Sequence, residues 1–420
     1  MEYLTQACPH IVERILSNLD FKNLLNMRLV SRNIKELVDA RHALWTEGIS
    51  SLHVAARFDQ HDDAQKIISS GVKIDKPLLT DKRGQGLWIP SYFLKFATPL
   101  HIAAYHHSNR VLQLLVDSDA DIDAQAYHVK SALEFAIEGD NADGLRILIA
   151  GGASIKGLLH TCACLGRTHL IEILLNHGAN LEEKDHQGST ALNTACHRGF
   201  FHLASFLIER GATLDVADEM DQTPLLGACD GSHLTIVTAL LAAGASPDPF
   251  LPAERSMTNN FGGISPLYIA FRQEDTEIFS LLLRSGARTD LDPYSGRPGG
   301  GLLHSMLDHY RFHINDQKGI QMFHQVVKSG IDLTFQNYDG TVLHKCVRII
   351  VGHAADKVAN YIELIQLFLR HGADKSIRNN ADQTARDLLI ALINRPDLTM
   401  FGICHSPTFV RQLSLLRRML

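Results

Sequence analysis

The chain has 420 residues, 45% apolar and 20% charged, with a net charge of -6; this excludes a disordered chain or one small domain, leaving two or three domains or one repeat array. No block of consecutive Lys and Arg provides the basic footprint that nucleic acid or an anionic membrane requires, so neither is an expected partner. Apolar runs such as Ile278 to Leu283 are far shorter than the roughly 20 residues of a spanning helix, Glu2, Glu13 and Arg14 interrupt the place of a secretory signal, and seven scattered cysteines make no disulfide framework, so a soluble protein of the cytoplasm and/or nucleus is expected.

Residues 1–47 come first. Cys8-Pro9 opens a helical stretch with an Ile15-Leu16 pair and Leu19 on one face; Leu24-Leu25 starts a second, Leu29-Val30-Ser31-Arg32 follows, and the segment ends at Leu44-Trp45. This wording resembles the F-box. Pro9, Ile15, Leu16, Leu19, Leu24, Leu25, Val30, Ser31 and Arg32 stand at matching positions, while Ile11 replaces the usual acidic residue and Ile34 the frequent Trp or Phe. Chains below about 40 residues rarely bury enough surface to fold alone, so three short helices need a cover. The resemblance implies one: the small linker subunit of SCF-type cullin ubiquitin ligases, seated as a helix-in-groove contact on Pro9, Ile15, Leu16, Leu19, Leu24, Leu25 and Val30. The alternative is an unusual capping repeat, since terminal repeats are commonly atypical.

From residue 48 to 395 one pattern recurs: Thr or Ser, a small residue or Pro, Leu, His, then small residues, with an apolar run, Gly and Ala about twenty positions later. The clearest copy is Thr98-Pro99-Leu100-His101-Ile102-Ala103-Ala104; others centre on Leu52, Leu133, Leu159, Leu192, Leu225, Leu267, Leu303 and Leu343, about nine repeats in all. The intervals from Leu100 to Leu133, Leu159 to Leu192 and Leu192 to Leu225 are each 33 residues. Thr98-Pro99 puts a capping hydroxyl before a proline suited to the first helical position. Leu100, Ala103 and Ala104 share a face at helical spacing, and a second helix ends at a Gly such as Gly178 or Gly211. Each unit is therefore a helix pair plus a loop, which must stack to bury its apolar face. Period and wording together resemble the ankyrin repeat, implying an all-α solenoid of stacked helix pairs that binds another protein.

The period breaks in places. Leu52 to Leu100 is 48 residues, an insertion holding Gly86-Leu87-Trp88-Ile89-Pro90 and Tyr92-Phe93; Trp88, Tyr92 and Phe93 are candidate target-binding residues because Trp and Tyr are favoured at hot spots, although the loop folding back on its own repeat is an equal alternative. Leu133 to Leu159 is only 26 residues, so the third repeat should lack part of its loop and hairpin. Pro247 to Gly263 reads as a surface loop, and Leu303 to Val327 as lengthened helices. In residues 396–420, Ser406-Pro407 followed by Val410, Leu413, Leu416 and Met419 predicts a capped amphipathic helix closing the array.

Catalysis finds no support. Of 23 histidines, His53, His101, His160, His304 and His344 recur one residue after the marker leucine, where the resemblance implies structural hydrogen bonds between loops. The others, including His309 and His313, lack metal-ligand spacing. Cys162, Cys196, Cys229 and Cys346 replace small core residues. Gly84-Gln85-Gly86 and Pro298-Gly299-Gly300-Gly301 lack the Lys-Ser/Thr ending of a phosphate loop. No metal, cofactor or enzyme activity is expected. An F-box joined to ankyrin repeats is similar to a fungal-type architecture and implies a substrate-recognition adaptor, with the SCF linker subunit, a cullin scaffold and an unidentified target as partners. The alternative is an ankyrin interaction scaffold with no part in ubiquitination.

Overall fold

The structure is a computed structural model that describes residues 51–77, 96–126, 129–248, 265–290, 301–313, 316–352, 358–393 and 407–420. The residues expected to hold the ligase linker, Pro9, Ile15, Leu16, Leu19, Leu24, Leu25 and Val30, lie outside these, as do Trp88, Tyr92 and Phe93. The described residues form helices, with only two isolated β-bridges, Asn337 to Gly340 and Arg378 to Thr384. They fall into two compact units that divide after Glu183.

The first unit holds four pairs: α1 (Ser51–Arg57) with α2 (His61–Ser69), α3 (Pro99–Tyr105) with α4 (Asn109–Asp117), α5 (Ala132–Glu138) with α6 (Ala142–Ala150), and α7 (Leu158–Leu165) with α8 (Thr168–Asn176). The second unit holds α9 (Ala191–Arg198) with α10 (Phe201–Glu209), α11 (Pro224–Asp230) with α12 (Leu234–Ala242), α13 (Pro266–Arg272) with α14 (Thr276–Arg284), α15 (Gly301–His313) with α16 (Asp316–Lys328), α17 (Val342–Gly352) with α18 (Val358–Arg370), and α19 (Ala385–Ile393) with α20 (Pro407–Met419). Within each unit first helices pack on first helices and second helices on second helices, the two-layer stack that amphipathic pairs require.

The local reason is a repeated start signal. Counting from the capping residue as position 0, position 2 is the marker leucine and position 3 closes the cap. Ser131 shows the full box: its backbone N–H donates to Glu134 Oε2 at 2.7 Å, and its hydroxyl accepts from the Glu134 N–H at 3.4 Å. Thr190 pairs with Asn193 and Thr384 with Asp387 in the same way. All nine marker leucines, Leu52 to Leu343, are at most 1% exposed, which makes each worth about 1.5–3 kcal/mol of burial. Gly178 and Gly211, at φ +88 and +83, follow α8 and α10 in the left-handed conformation expected of them.

The departures have plain consequences. Only seven residues, 151–157, join α6 to α7, against fourteen, 177–190, from α8 to α9, so the third hairpin is missing as its 26-residue interval predicts. Helices α15 and α16 run to 13 residues each, in line with the lengthening read from Leu303 to Val327. A tenth pair is present that the marker leucine does not reveal. At its position 2 stands exposed Arg386, while Ala385, Leu388 and Leu389 are buried. The expected C-terminal helix is α20, which packs on α18 and α19 and buries Leu416 and Leu420.

Candidate interaction surface

Position 3 of most first helices ties one repeat to the loop of the next. His101 Nδ1 lies 2.8 Å from Thr98 Oγ1 and accepts the Thr98 N–H at 3.2 Å, while its Nε2 reaches Lys130 O at 3.2 Å. His344 repeats this with Thr341 and with Gln383 O at 2.9 Å. His53 reaches Ala97 O, His160 reaches Glu183 O at 2.8 Å, and His304 reaches Gly340 O at 2.9 Å. The five histidines thus do what their recurrence implied. An unprotonated Nδ1 with Nε2–H as donor satisfies every contact of His101 and His344, so the neutral ring is the fitting form. Burial pushes His53 and His101 down to about 4 and lowers His304 and His344, opposed by their backbone hydrogen bonds. Where Thr is replaced by Gly157 or Gly301, the Nδ1 of His160 or His304 is buried without a hydrogen bond. Asn193 fills the same position in the fifth repeat and donates to Val216 O at 3.0 Å and Gln222 O at 2.8 Å.

Carboxylates and amides shape the hairpins. Asp185 Oδ1 accepts from the N–H of Gln187 and Ser189, Asp218 Oδ1 from those of Met220 and Gln222, and Asn379 Oδ1 from those of Ala381 and Gln383. These Asx turns hold the tip residues outward. Met220 is 52% exposed in the Asp218 turn and Tyr338 76% in a further turn, where Asn337 Oδ1 accepts from the Asp339 N–H, although neither is singled out by the sequence pattern.

The cysteines read as core residues are core residues: Cys162, Cys196, Cys229 and Cys346 are buried. Burial pushes the Cys162 thiol up to about 12 and raises the other three, the reverse of what a nucleophile needs. Among the described residues no group of three or more His, Cys, Asp or Glu is placed to hold a metal ion, and no helix is long and apolar enough to cross a membrane.

One cluster has no counterpart among the other described residues. At position 4 of α17 stands Lys345, where the other repeats carry uncharged residues such as Ile102, Phe135, Thr194 or Ser305. Its side chain is 8% exposed, and Nζ donates to Asp308 Oδ1 at 2.7 Å and Asp339 Oδ2 at 2.6 Å. Arg348 Nη1 is 3.2 Å from the other Asp339 oxygen, and the ammonium sits 5.8 Å from the centre of the Tyr338 ring. Burial alone would lower the Lys345 ammonium; the two carboxylates outweigh it and hold it above the ordinary lysine range. A lysine in an otherwise uncharged column was the signal available in the sequence.

Sequence comparison places this geometry. The family description "F-box domain" matches residues 8–45, and "Ankyrin repeats (3 copies)" matches residues 52–157 and 159–250. Among similar proteins, a mouse B-cell lymphoma 3 protein homolog is 27% identical over 161 residues, 35% of this chain and 32% of its own length. Human ankyrin repeat and SOCS box protein 11 is 28% identical over 118 residues, 28% of this chain and 32% of its own. A Caenorhabditis elegans transient receptor potential cation channel subfamily A member 1 homolog is 29% identical over 103 residues, 23% of this chain and 8% of its own. The chain thus spans about a third or less of each of these relatives. Among solved structures, the human ASB11 ankyrin repeat domain matches at TM-score 0.41 and 22% identity, covering 57% of this chain and 97% of that one. The ankyrin repeat domain of Bcl-3 matches at TM-score 0.43 and 22% identity, covering 56% and 97%.

Proposed function

From a chain that joins an F-box domain to ankyrin repeats, we propose a substrate-recognition adaptor of an SCF-type cullin ubiquitin ligase, acting in the cytoplasm or nucleus. Two protein-interaction modules in one chain make a protein-interaction adaptor. The observation that carries the ligase reading is the match of residues 8–45 to the F-box domain immediately ahead of the repeats. In this reading the apolar face of Pro9, Ile15, Leu16, Leu19, Leu24, Leu25 and Val30 sits in the groove of the linker subunit, which connects the chain to the cullin. The repeats hold the target, with Trp88, Tyr92 and Phe93 of the first insertion as candidate contacts. The chain transfers no ubiquitin itself: it is a non-enzymatic bridge that raises the local concentration of target at the ligase.

The test is a pull-down of the full chain with the SCF linker subunit, beside a Leu16→Asp, Leu19→Asp double variant that charges the docking face. Binding by the wild type that disappears in the variant supports the adaptor. A wild type that melts cooperatively yet captures no linker leaves an ankyrin scaffold outside ubiquitination.

A further inference from the structure

Position 7 of the first helices forms a second ladder, distinct from the histidines. It lies within reach of the hairpins: Asp339 of the hairpin ahead of α17 pairs with Arg348 at position 7, and Lys130 of the hairpin ahead of α5 pairs with Glu138 at position 7. In the second unit the five successive occupants on α9, α11, α13, α15 and α17 are His197, Asp230, Arg272, Asp308 and Arg348, and all five are exposed. From Asp230 onward the sign alternates: negative, positive, negative, positive. The next occupant is uncharged Ala391, so the ladder ends with α17.

We propose that this ladder binds an extended segment of the target in which basic and acidic side chains alternate at every third residue; the inference rests on the adaptor reading and names the partner's chemistry. The spacing follows from two lengths. Packed helices lie about 8–10 Å apart, and a chain in the extended polyproline II form advances about 3.1 Å per residue with three residues per turn, so every third side chain falls on one face and meets the next rung. The sign pattern supplies register, because a one-rung slip sets like charges against each other across four repeats.

The rungs are not consumed by one another. Arg272 and His197 form no ion pair among the described residues. Among the described residues Asp230 Oδ1 accepts from the neutral Gln273 amide, at 3.1 Å. At the far end the cluster around Lys345 fixes the last two rungs, since Lys345 holds Asp308 and the Asp339 carboxylate holds Arg348. Tyr338, against the Lys345 ammonium, offers an exposed ring beside them. A buried lysine held by carboxylates adds little stability compared with an apolar residue of similar volume, and what it does supply is preorganised geometry at the end of the ladder.

The probe is a synthetic peptide with glutamate, lysine, glutamate, lysine and glutamate at every third position, separated by Gly-Ser and labelled for fluorescence anisotropy at low ionic strength. Its pattern reads the same from either end, so chain direction does not matter. The control has the same composition with three glutamates followed by two lysines. The full-length chain should bind the alternating peptide about tenfold more tightly than the block peptide. An Asp230→Lys, Arg272→Glu variant, exposed at both sites and unaltered in melting, should lose that preference. Equal binding of the two peptides, or a variant that keeps the preference, overturns the proposal. Linker capture by the same preparation separates the readings: a chain that captures the linker without distinguishing the peptides refutes the ladder alone, and the converse refutes the ligase role alone.

Discussion

The first and second units use the same repeat but spend position 7 differently. In the first unit it holds Arg57, Tyr105, Glu138 and Cys164 on α1, α3, α5 and α7, the first buried and the next two half-buried; in the second it holds five exposed polar or charged residues on α9 to α17. Positions 0 and 2 hardly vary between the units, a capping hydroxyl or Gly and then leucine, and position 3 in both most often carries a group that reaches the next loop. One set of positions therefore builds the stack, and another differs from repeat to repeat because the stack requires no one residue type there, even where a neighbouring repeat pairs with it, as at Glu138, Asp308 and Arg348. Specific recognition in a repeat array is to be sought where the repeat does not insist on a residue.

The largest effect expected from that division is at position 2. Leu192→Ala removes a fully buried side chain and should destabilise the chain by about 2–5 kcal/mol in denaturant melts, as should Leu100→Ala in the other unit. A loss below 0.5 kcal/mol, about what a neutral surface change gives, would show that the marker leucine does not define the stack.

Position 3 comes next. His101→Ala breaks the contacts to Thr98 and Lys130 O and should cost about 1–3 kcal/mol, the price of buried groups left without partners. The same residues set an acid sensitivity. The folded-state values of His53 and His101 lie near 4 against 6.5, so in that window the unfolded chain binds more protons and stability falls as pH drops from about 6.5 toward 4. The slope is on the order of 1.4 kcal/mol per pH unit for each group. A His101→Leu variant, copying Leu226 of the sixth repeat, should be measurably flatter over this range, and an unchanged slope would exclude His101 as its source.

Smaller still is the cluster in the ninth repeat. Lys345→Met leaves Asp339 with Arg348 alone and should cost about 1–2 kcal/mol, and adding Asp339→Asn should recover most of it. Non-recovery would mean that Lys345 acts by packing rather than by charge. Smallest of all are Asp230→Ala and Arg272→Ala, expected to shift stability by less than about 0.5 kcal/mol. A large loss at either would make position 7 part of the stack and dissolve the contrast between the units.

Much of this was legible because it follows from local rules. The caps, the marker leucines, the glycines after the second helices and the five histidines are set by short-range geometry that repeats with the period, so one copy explains the others. The tenth pair was not legible, because exposed Arg386 stands where the other nine carry the buried marker leucine. The cluster of Lys345, Asp308, Asp339 and Arg348 joins residues up to 40 positions apart, and only stacking brings them together. The position 7 ladder hides for the opposite reason: its members share a place but no residue type.

The ligase role is tested most directly by hydrogen exchange of the full chain with and without the SCF linker subunit. Adaptor function requires new protection within residues 8–45 and unchanged exchange across α9 to α17, whose surface is reserved for the target. No protection in residues 8–45, or protection appearing instead in the repeats, would contradict it.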